Sequence, residues 1–123
     1  MEAEDPNSII REIQSLYRDL MEEKNGKYVP GSNYKSIQKP SAETFASTVN
    51  KLIDKAKELE SKYLEKYQFY NLETVMSTEI QLLLQFDSSH EPISNLQKLM
   101  GTAILQIELH CDVIFEKSFN TTI

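Results

Sequence analysis

The sequence SAETFASTVNKLIDKAKELESKYLEKY, from Ser41 to Tyr67, decides the fold class. Its apolar side chains recur at spacings of three and four residues, with charged and polar side chains between them. The recurring positions are Phe45, Val49, Leu52, Ile53, Ala56, Leu59 and Tyr63. This periodicity places them on one stripe of an amphipathic α-helix. We therefore predict a helix over residues 42–67, capped at its start by Ser41.

A second amphipathic segment precedes this one. Asp5 can accept hydrogen bonds from the first-turn amides, and Pro6 is tolerated at the first helical position. Gly26 can adopt the positive φ that commonly follows a helix. The apolar stripe consists of Ile9, Ile10, Ile13, Leu16, Tyr17, Leu20 and Met21. These signals predict a helix over residues 6–25.

Two further helices are predicted after the first pair, over residues 72–86 and 93–117, separated by a turn at 87–92. The third has Leu72, Val75, Met76, Ile80, Leu83 and Leu84 on one side, and Leu82 and Phe86 broaden that face. It is expected to be more buried than the others. The fourth runs through Leu96, Leu99, Met100, Ala103, Ile104, Ile107, Cys111, Val113, Ile114 and Phe115. Within it, Gly101 indicates a close approach to a neighbouring helix.

Two segments between the helices lack a single apolar stripe. Residues 27–40, KYVPGSNYKSIQKP, contain the Pro30–Gly31 turn signal and form a long connector. This connector either crosses the length of the bundle or lies against its surface. After the second helix, aromatic side chains follow one another too closely for one stripe, which favours a break near Gln68–Asn71 over a continuous helix.

Four amphipathic helices that cannot bury their stripes alone predict an all-α fold, an antiparallel four-helix bundle. At 123 residues the chain is expected to form one domain over 1–123, with residues 1–5 and 118–123 frayed. The second and fourth stripes keep their spacing for several turns and would also suit a coiled-coil partner. A homo-oligomer or hetero-oligomer is therefore an open variant.

Charge and composition limit the partner classes. The formal net charge of −6 argues against nucleic acid, because phosphate binding needs clustered Lys and Arg. No apolar run approaches the roughly 18–20 residues that span a bilayer, so no membrane partner is expected. A single cysteine fits a reducing compartment. These observations predict a cytoplasmic or nuclear protein.

The candidate catalytic and metal-binding side chains are few and badly spaced. The soft metal ligands are His90, His110 and Cys111, and adjacent residues of a helix point about 100° apart. His90 lies more than four helical turns from Cys111, too far to activate its thiol. We therefore expect no catalytic residue, no metal and no cofactor, and the chain is predicted not to be an enzyme.

The sequence favours a non-catalytic helical adaptor or subunit of a larger assembly, acting through protein–protein contacts. The predicted partner-binding residues are aromatic groups beyond the helix stripes, namely Tyr28, Tyr34, Tyr67, Phe69, Tyr70 and Phe86. The alternative is a bundle that binds a small apolar ligand or regulates an enzyme, with Met76 and Met100 in a deformable core. Two short motifs stay open: Ile80–Leu84, spaced like a groove-docking helix, and the tail Thr121–Ile123, which could add a strand to a partner.

Overall fold

A computed structural model describes residues 5–28, 37–38, 40–63 and 72–121, and side chains in these ranges except at 27–28, 37–38 and 113–121. Its elements are α1 (Pro6–Asn25), β1 (Lys27–Tyr28), β2 (Ile37–Gln38), α2 (Ala42–Lys62), α3 (Leu72–Gln85) and α4 (Ile93–Thr121). The helices form the antiparallel four-helix bundle that the sequence predicts.

The predicted caps of α1 are confirmed. The amide of Asn7 donates to Oδ1 of Asp5 at 3.1 Å, and Pro6 takes the first helical position. At the other end Gly26 has φ 85° and ψ 133°, and its amide donates to the carbonyl of Glu23 at 3.4 Å. This φ is positive, as predicted, although ψ lies outside the left-handed helical region. Both ends of α1 therefore follow from local sequence.

The start of α2 is predicted correctly, but its end is not. Oγ of Ser41 accepts a hydrogen bond from the amide of Thr44 at 3.3 Å. The helix ends at Lys62, five residues before the predicted end at Tyr67, because Tyr63 has left the helical region at φ −135° and ψ 44°. The amide of Tyr63 still donates to the carbonyl of Leu59 at 2.9 Å. The predicted break at 68–71 lies outside the described residues.

Helix α4 is longer than predicted. It runs 29 residues to Thr121, four beyond the predicted end, so residues 118–121 are helical where fraying was expected. Neither glycine nor proline occurs after Gly101, and the backbone therefore meets no residue that stops a helix. The tail motif at Thr121 consequently begins inside α4.

The two ends of the predicted connector form a short pair of strands. Strands β1 and β2 pair antiparallel, with Lys27 opposite Gln38 and Tyr28 opposite Ile37. The two ends of the connector are thus held together beside the end of α1 and the start of α2. This pairing excludes a connector that crosses the length of the bundle, and the alternative, that residues 29–36 lie against its surface, falls outside the described residues.

Ion pairs join neighbouring helices of the bundle. Nζ of Lys55 on α2 lies 2.9 Å from Oε2 of Glu12 on α1, and Nζ of Lys57 lies 2.9 Å from Oε2 of Glu73 on α3. Helix α4 packs against both α3 and α1, which closes the bundle. Each of these ion pairs is partly or largely exposed, so it sets the alignment of the helices more than their stability.

The core consists of the inward stripes of all four helices. Its largest fully buried side chains are Phe45, Ile9, Ile13, Leu20, Leu52, Leu59, Met76, Leu83, Leu96, Met100 and Ile107. One polar side chain is buried among the described residues, Thr48, whose Oγ1 lies 2.9 Å from Oε1 of Glu23 and 3.1 Å from the carbonyl of Thr44. The hydroxyl is therefore satisfied at the α1–α2 boundary.

The prediction that α3 is the most buried helix is wrong. Within α3 only Leu72, Met76 and Leu83 are buried, and Leu82 and Leu84 are 45% and 58% exposed. At 100° per residue, Leu84 lies about 80° from Met76 on one side, and Leu82 lies about 120° away on the other. Both leucines therefore leave the core face.

Substitution by alanine is expected to have opposite effects on stability at Gly101, inside α4, and at Gly26, which follows α1. A Cβ on Gly101 would meet Cε of Lys24 at 3.7 Å, which is ordinary contact with a flexible side chain and not a close backbone approach. We expect Gly101→Ala to raise the free energy of unfolding by about 1 kcal/mol, because alanine favours a helix interior.

The control for this prediction is Gly26→Ala, where the positive φ should make alanine cost about 1–2 kcal/mol. Urea denaturation of both variants measures the two shifts. A loss of stability in Gly101→Ala equal to that in Gly26→Ala would show that the helices approach more closely at Gly101 than described.

Candidate protein-interaction surface

The aromatic residues predicted to bind a partner are mostly beyond what the structure describes. Tyr34, Tyr67, Phe69 and Tyr70 lie outside the described residues, and Tyr28 is described only as a backbone position in β1. Phe86 follows α3, is partly buried and packs against the core. The side chains of the other five predicted residues are thus not described, and their role in binding stays a prediction.

Five large apolar side chains lie on the surface, three of them predicted above as members of the apolar helix faces and two of them, Leu105 and Leu109, not predicted. They are exposed by roughly half or more: Met21 at 45%, Leu82 at 45%, Leu84 at 58%, Leu105 at 55% and Leu109 at 65%. Single exposed apolar residues are common on soluble proteins, whereas neighbouring ones indicate a binding surface. Whether these five side chains are neighbours therefore decides whether they indicate a binding surface.

The leucines of α3 lie on either side of a buried neighbour. Leu83 is fully buried, while Leu82 and Leu84 emerge on opposite edges of the helix. A groove-docking helix would need Ile80, Leu83 and Leu84 on one exposed face. The burial of Leu83 excludes that use of the Ile80–Leu84 motif in the folded bundle. Leu82 and Leu84 are instead exposed separately, on two edges of α3.

The two exposed leucines of α4 are neighbours on the helix surface. Leu105 and Leu109 are four residues apart, so their side chains are neighbours on one face of the helix. Ile107 between them is fully buried, which places the pair on the side opposite the core. The signal that could have found them was available in the sequence, since two leucines at this spacing lie outside the core stripe.

Met21 of α1 lies at the level of Leu105 on the neighbouring helix α4. The hydroxyl of Tyr17 donates to Oε2 of Glu108 at 3.2 Å, and the Lys24 side chain lies against Gly101. Met21 is between Tyr17 and Lys24 on α1. Leu105 occupies the matching position between Gly101 and Glu108 on α4. The two exposed side chains therefore stand at the same level of the seam between α1 and α4.

The ends of this seam are held by hydrogen bonds. Nε2 of Gln97 donates to the carbonyl of Lys24 at 2.9 Å and so satisfies one acceptor in the last turn of α1. Burial raises the pKa of Tyr17 above its ordinary value, and the carboxylate of Glu108 raises it further. The phenol therefore remains a donor at neutral pH and keeps the two helices in register.

A groove of about 390 Å³ runs along the surface between α1 and α2. Its lining consists of Glu12, Ser15, Leu16, Lys51, Asp54 and Lys55. Hydrogen bonds from Lys55 to Glu12 and to Glu58 raise the pKa of this lysine, which keeps it charged. This open, charged lining is not the enclosed apolar cavity that a small apolar ligand requires. The ligand-binding hypothesis stays a prediction.

The turn before α4 brings serine, histidine and aspartate together without forming a catalytic triad. Nδ1 of His90 lies 2.7 Å from Oδ2 of Asp87 and 2.9 Å from Oγ of Ser89. A triad needs the acid and the nucleophile on different ring nitrogens, and here both use Nδ1. Hydrogen bonds from Ser89, then from His90, lower the pKa of Asp87. The group stabilises the turn.

The cysteine is buried in α4 and gives a pH prediction. Burial raises the pKa of the Cys111 thiol from 9.0 to about 12. Burial disfavours the thiolate in the folded state. The neutral thiol therefore contributes fully to the free energy of unfolding below pH 9, and this contribution is lost as the pH rises toward 12. We expect this group alone to lower the free energy of unfolding by about 1 kcal/mol between pH 8 and pH 10.

The matched variant is Cys111→Ala, in which this part of the pH dependence is removed while all other groups remain. Denaturant unfolding of both proteins at pH 8 and pH 10 gives the difference directly. Identical pH slopes in the two proteins would contradict the burial of the thiol.

Comparison with known protein families, curated proteins and solved structures returned no match. Over the described ranges, no helix combines the length and the apolar character needed to cross a membrane. In the same part of the chain, no three His, Cys, Asp or Glu side chains are placed to hold a metal ion.

Proposed function

We propose that this chain is a non-catalytic helical adaptor or subunit of a larger assembly that acts through contacts with other proteins. The observation that carries the proposal is the set of exposed leucines on α3 and α4, together with Met21 of α1. These side chains lie outside a core that the four helices already close. They are thus available for contact without any opening of the bundle.

The exposed leucines of α3 are the most suitable contacts for a different protein. Leu82 and Leu84 lie on two edges of the helix, so one partner segment could lie along each side. Full burial of a leucine contributes about 1.5–3 kcal/mol, and roughly half of each side chain remains to be buried. Two such leucines alone give a weak interface. The predicted aromatic residues Tyr67, Phe69 and Tyr70 would supply further contacts.

The proposal includes a cytoplasmic or nuclear location. It is supported by the acidic composition, which disfavours nucleic acid and anionic membrane surfaces, and by the single free cysteine. Partners are therefore proposed to be other proteins of those compartments.

The test is quantitative affinity purification of the tagged full chain from its native cells. We expect a partner at stoichiometric amounts, reduced about tenfold or more in a Leu82→Asp, Leu84→Asp double variant, because charge is excluded from the centre of an interface. The matched control is Gln81→Asp, which adds a charge to an exposed polar position of the same helix.

Circular dichroism and thermal melting of each variant establish that the bundle is intact. Loss of the partner in the leucine variant with retention in Gln81→Asp supports the proposal. Absence of any stoichiometric partner, or equal recovery with all three proteins, would contradict it.

A further inference from the structure

The outer face of α4 carries a second stripe at coiled-coil spacing, separate from the core stripe. Its exposed members are Lys98, Thr102, Leu105, Leu109 and Asp112. Successive members are four, three, four and three residues apart, which is the spacing of positions a and d in a heptad. Two leucines at the centre with polar residues toward both ends are the pattern of a short helix–helix contact. We call these five residues the outer stripe.

The charges of the outer stripe complement the same stripe only when it is reversed. Lys98 lies toward its amino end and Asp112 at its carboxyl end, about 21 Å apart at 1.5 Å per residue. Two parallel stripes would place lysine beside lysine and aspartate beside aspartate. Two antiparallel stripes place each lysine toward the aspartate of the other. Like charges at a contact disfavour an arrangement, and opposite charges select it.

We propose that the outer stripe of α4 binds the outer stripe of a second copy of this chain, antiparallel, about a two-fold axis near position 107. A two-fold contact uses the same surface on both subunits. Leu105 then packs against Leu109 of the second copy, and this contact occurs twice. All four leucines, each more than half exposed in the single chain, become buried together.

The polar members of the stripe match in this arrangement. Thr102 lies opposite Asp112 of the second copy, and its hydroxyl, which in the single chain donates to the carbonyl of Lys98 at 3.1 Å, can donate to that carboxylate. Lys98 lies nine residues from the axis and Asp112 lies five, so they differ by four residues or about 6 Å. The four-carbon stem of lysine covers this offset.

The size of the contact predicts a weak dimer. About four helical turns from each copy bury less than the roughly 1,600 Å² of a standard stable interface. We expect a dissociation constant on the order of 0.1 mM, with fast exchange. This inference goes beyond the proposed function, since the dimer forms in the pure protein. It leaves Leu82 and Leu84 of α3 free for other proteins.

The test is sedimentation velocity of the purified full chain from about 5 to about 500 μM, at low salt. The wild type should shift from monomer toward dimer over this range. Leu109→Glu should remain a monomer throughout. The matched control is Leu84→Glu, a leucine of similar exposure on α3, which should dimerise like the wild type.

A charge exchange tests the antiparallel arrangement. Lys98→Glu alone should weaken dimerisation at least threefold, because it brings two acids together. Adding Asp112→Lys should restore it. Circular dichroism confirms that every variant is folded. A wild type that stays monomeric to about 500 μM would overturn the proposal, as would a dimer that Leu109→Glu leaves intact or a charge exchange without recovery.

Discussion

Replacement of Ile107 by aspartate is expected to unfold the bundle at neutral pH. Ile107 is fully buried in the middle of α4, where an aspartate would lose the apolar contacts of isoleucine and place a charge in the core. Loss of a buried isoleucine alone costs about 2–5 kcal/mol, and an unpaired charge adds several more. The total approaches or exceeds the roughly 5–15 kcal/mol that stabilises a domain of ordinary stability.

Leu109→Asp is the matched control, because it makes nearly the same change two residues away on the opposite face. Leu109 is 65% exposed, so this variant should stay folded and lose about 1 kcal/mol or less. Circular dichroism and urea denaturation of both variants measure the difference. Comparable losses at the two positions would mean that the inner and outer faces of α4 are assigned wrongly.

Replacement of Phe45 by alanine is expected to lower the free energy of unfolding by about 3–5 kcal/mol. Phe45 is the largest of the fully buried side chains and lies in the first turns of α2. Its removal takes a ring out of the core and leaves a cavity that the neighbouring helices fill only in part. Urea denaturation, with the slope m compared between proteins, gives the loss.

Leu84→Ala provides the control for Phe45→Ala, since it also truncates a large apolar side chain but at a 58% exposed position. Its effect should stay within about 0.5 kcal/mol. A small effect at Phe45, or an effect at Leu84 as large as that at Phe45, would contradict the described core.

The helices were predictable because their signals are local. Asp5 and Ser41 cap α1 and α2 with side-chain oxygens, and both were identified from residue type and position alone. The core stripes of α1, α2 and α4 follow the 3.6-residue period. Four such stripes define a bundle, since each must be covered by the others.

The wrong predictions have a common cause. They concern positions whose structure depends on contacts with other segments of the chain. The end of α2 at Tyr63 follows no local stop signal. The pairing of β1 with β2 joins residues ten or so apart in a connector without periodicity. Whether Leu84 is inside or outside depends on where α2 and α4 meet α3, which the sequence of α3 alone does not determine.

The candidate surface was less predictable than the fold. Aromatic residues outside the stripes were the natural candidates, and the one with a described side chain, Phe86, packs partly against the core. Leu105 and Leu109 were not predicted as surface residues, because an apolar residue in an apolar helix suggests burial. Only the position of the core stripe shows that this pair faces outward.

The four helices of this chain close its core, and we propose that its exposed leucines contact other molecules. The most direct measurement is urea denaturation of the purified full chain at about 1 μM and about 20 μM, both well below the dissociation constant proposed for the dimer. We expect one cooperative transition, seen alike by far-UV and near-UV circular dichroism, with a midpoint independent of protein concentration. A chain with helical far-UV signal but no near-UV signal and no cooperative transition would contradict it, because its stripes would then belong to an interface with a missing partner.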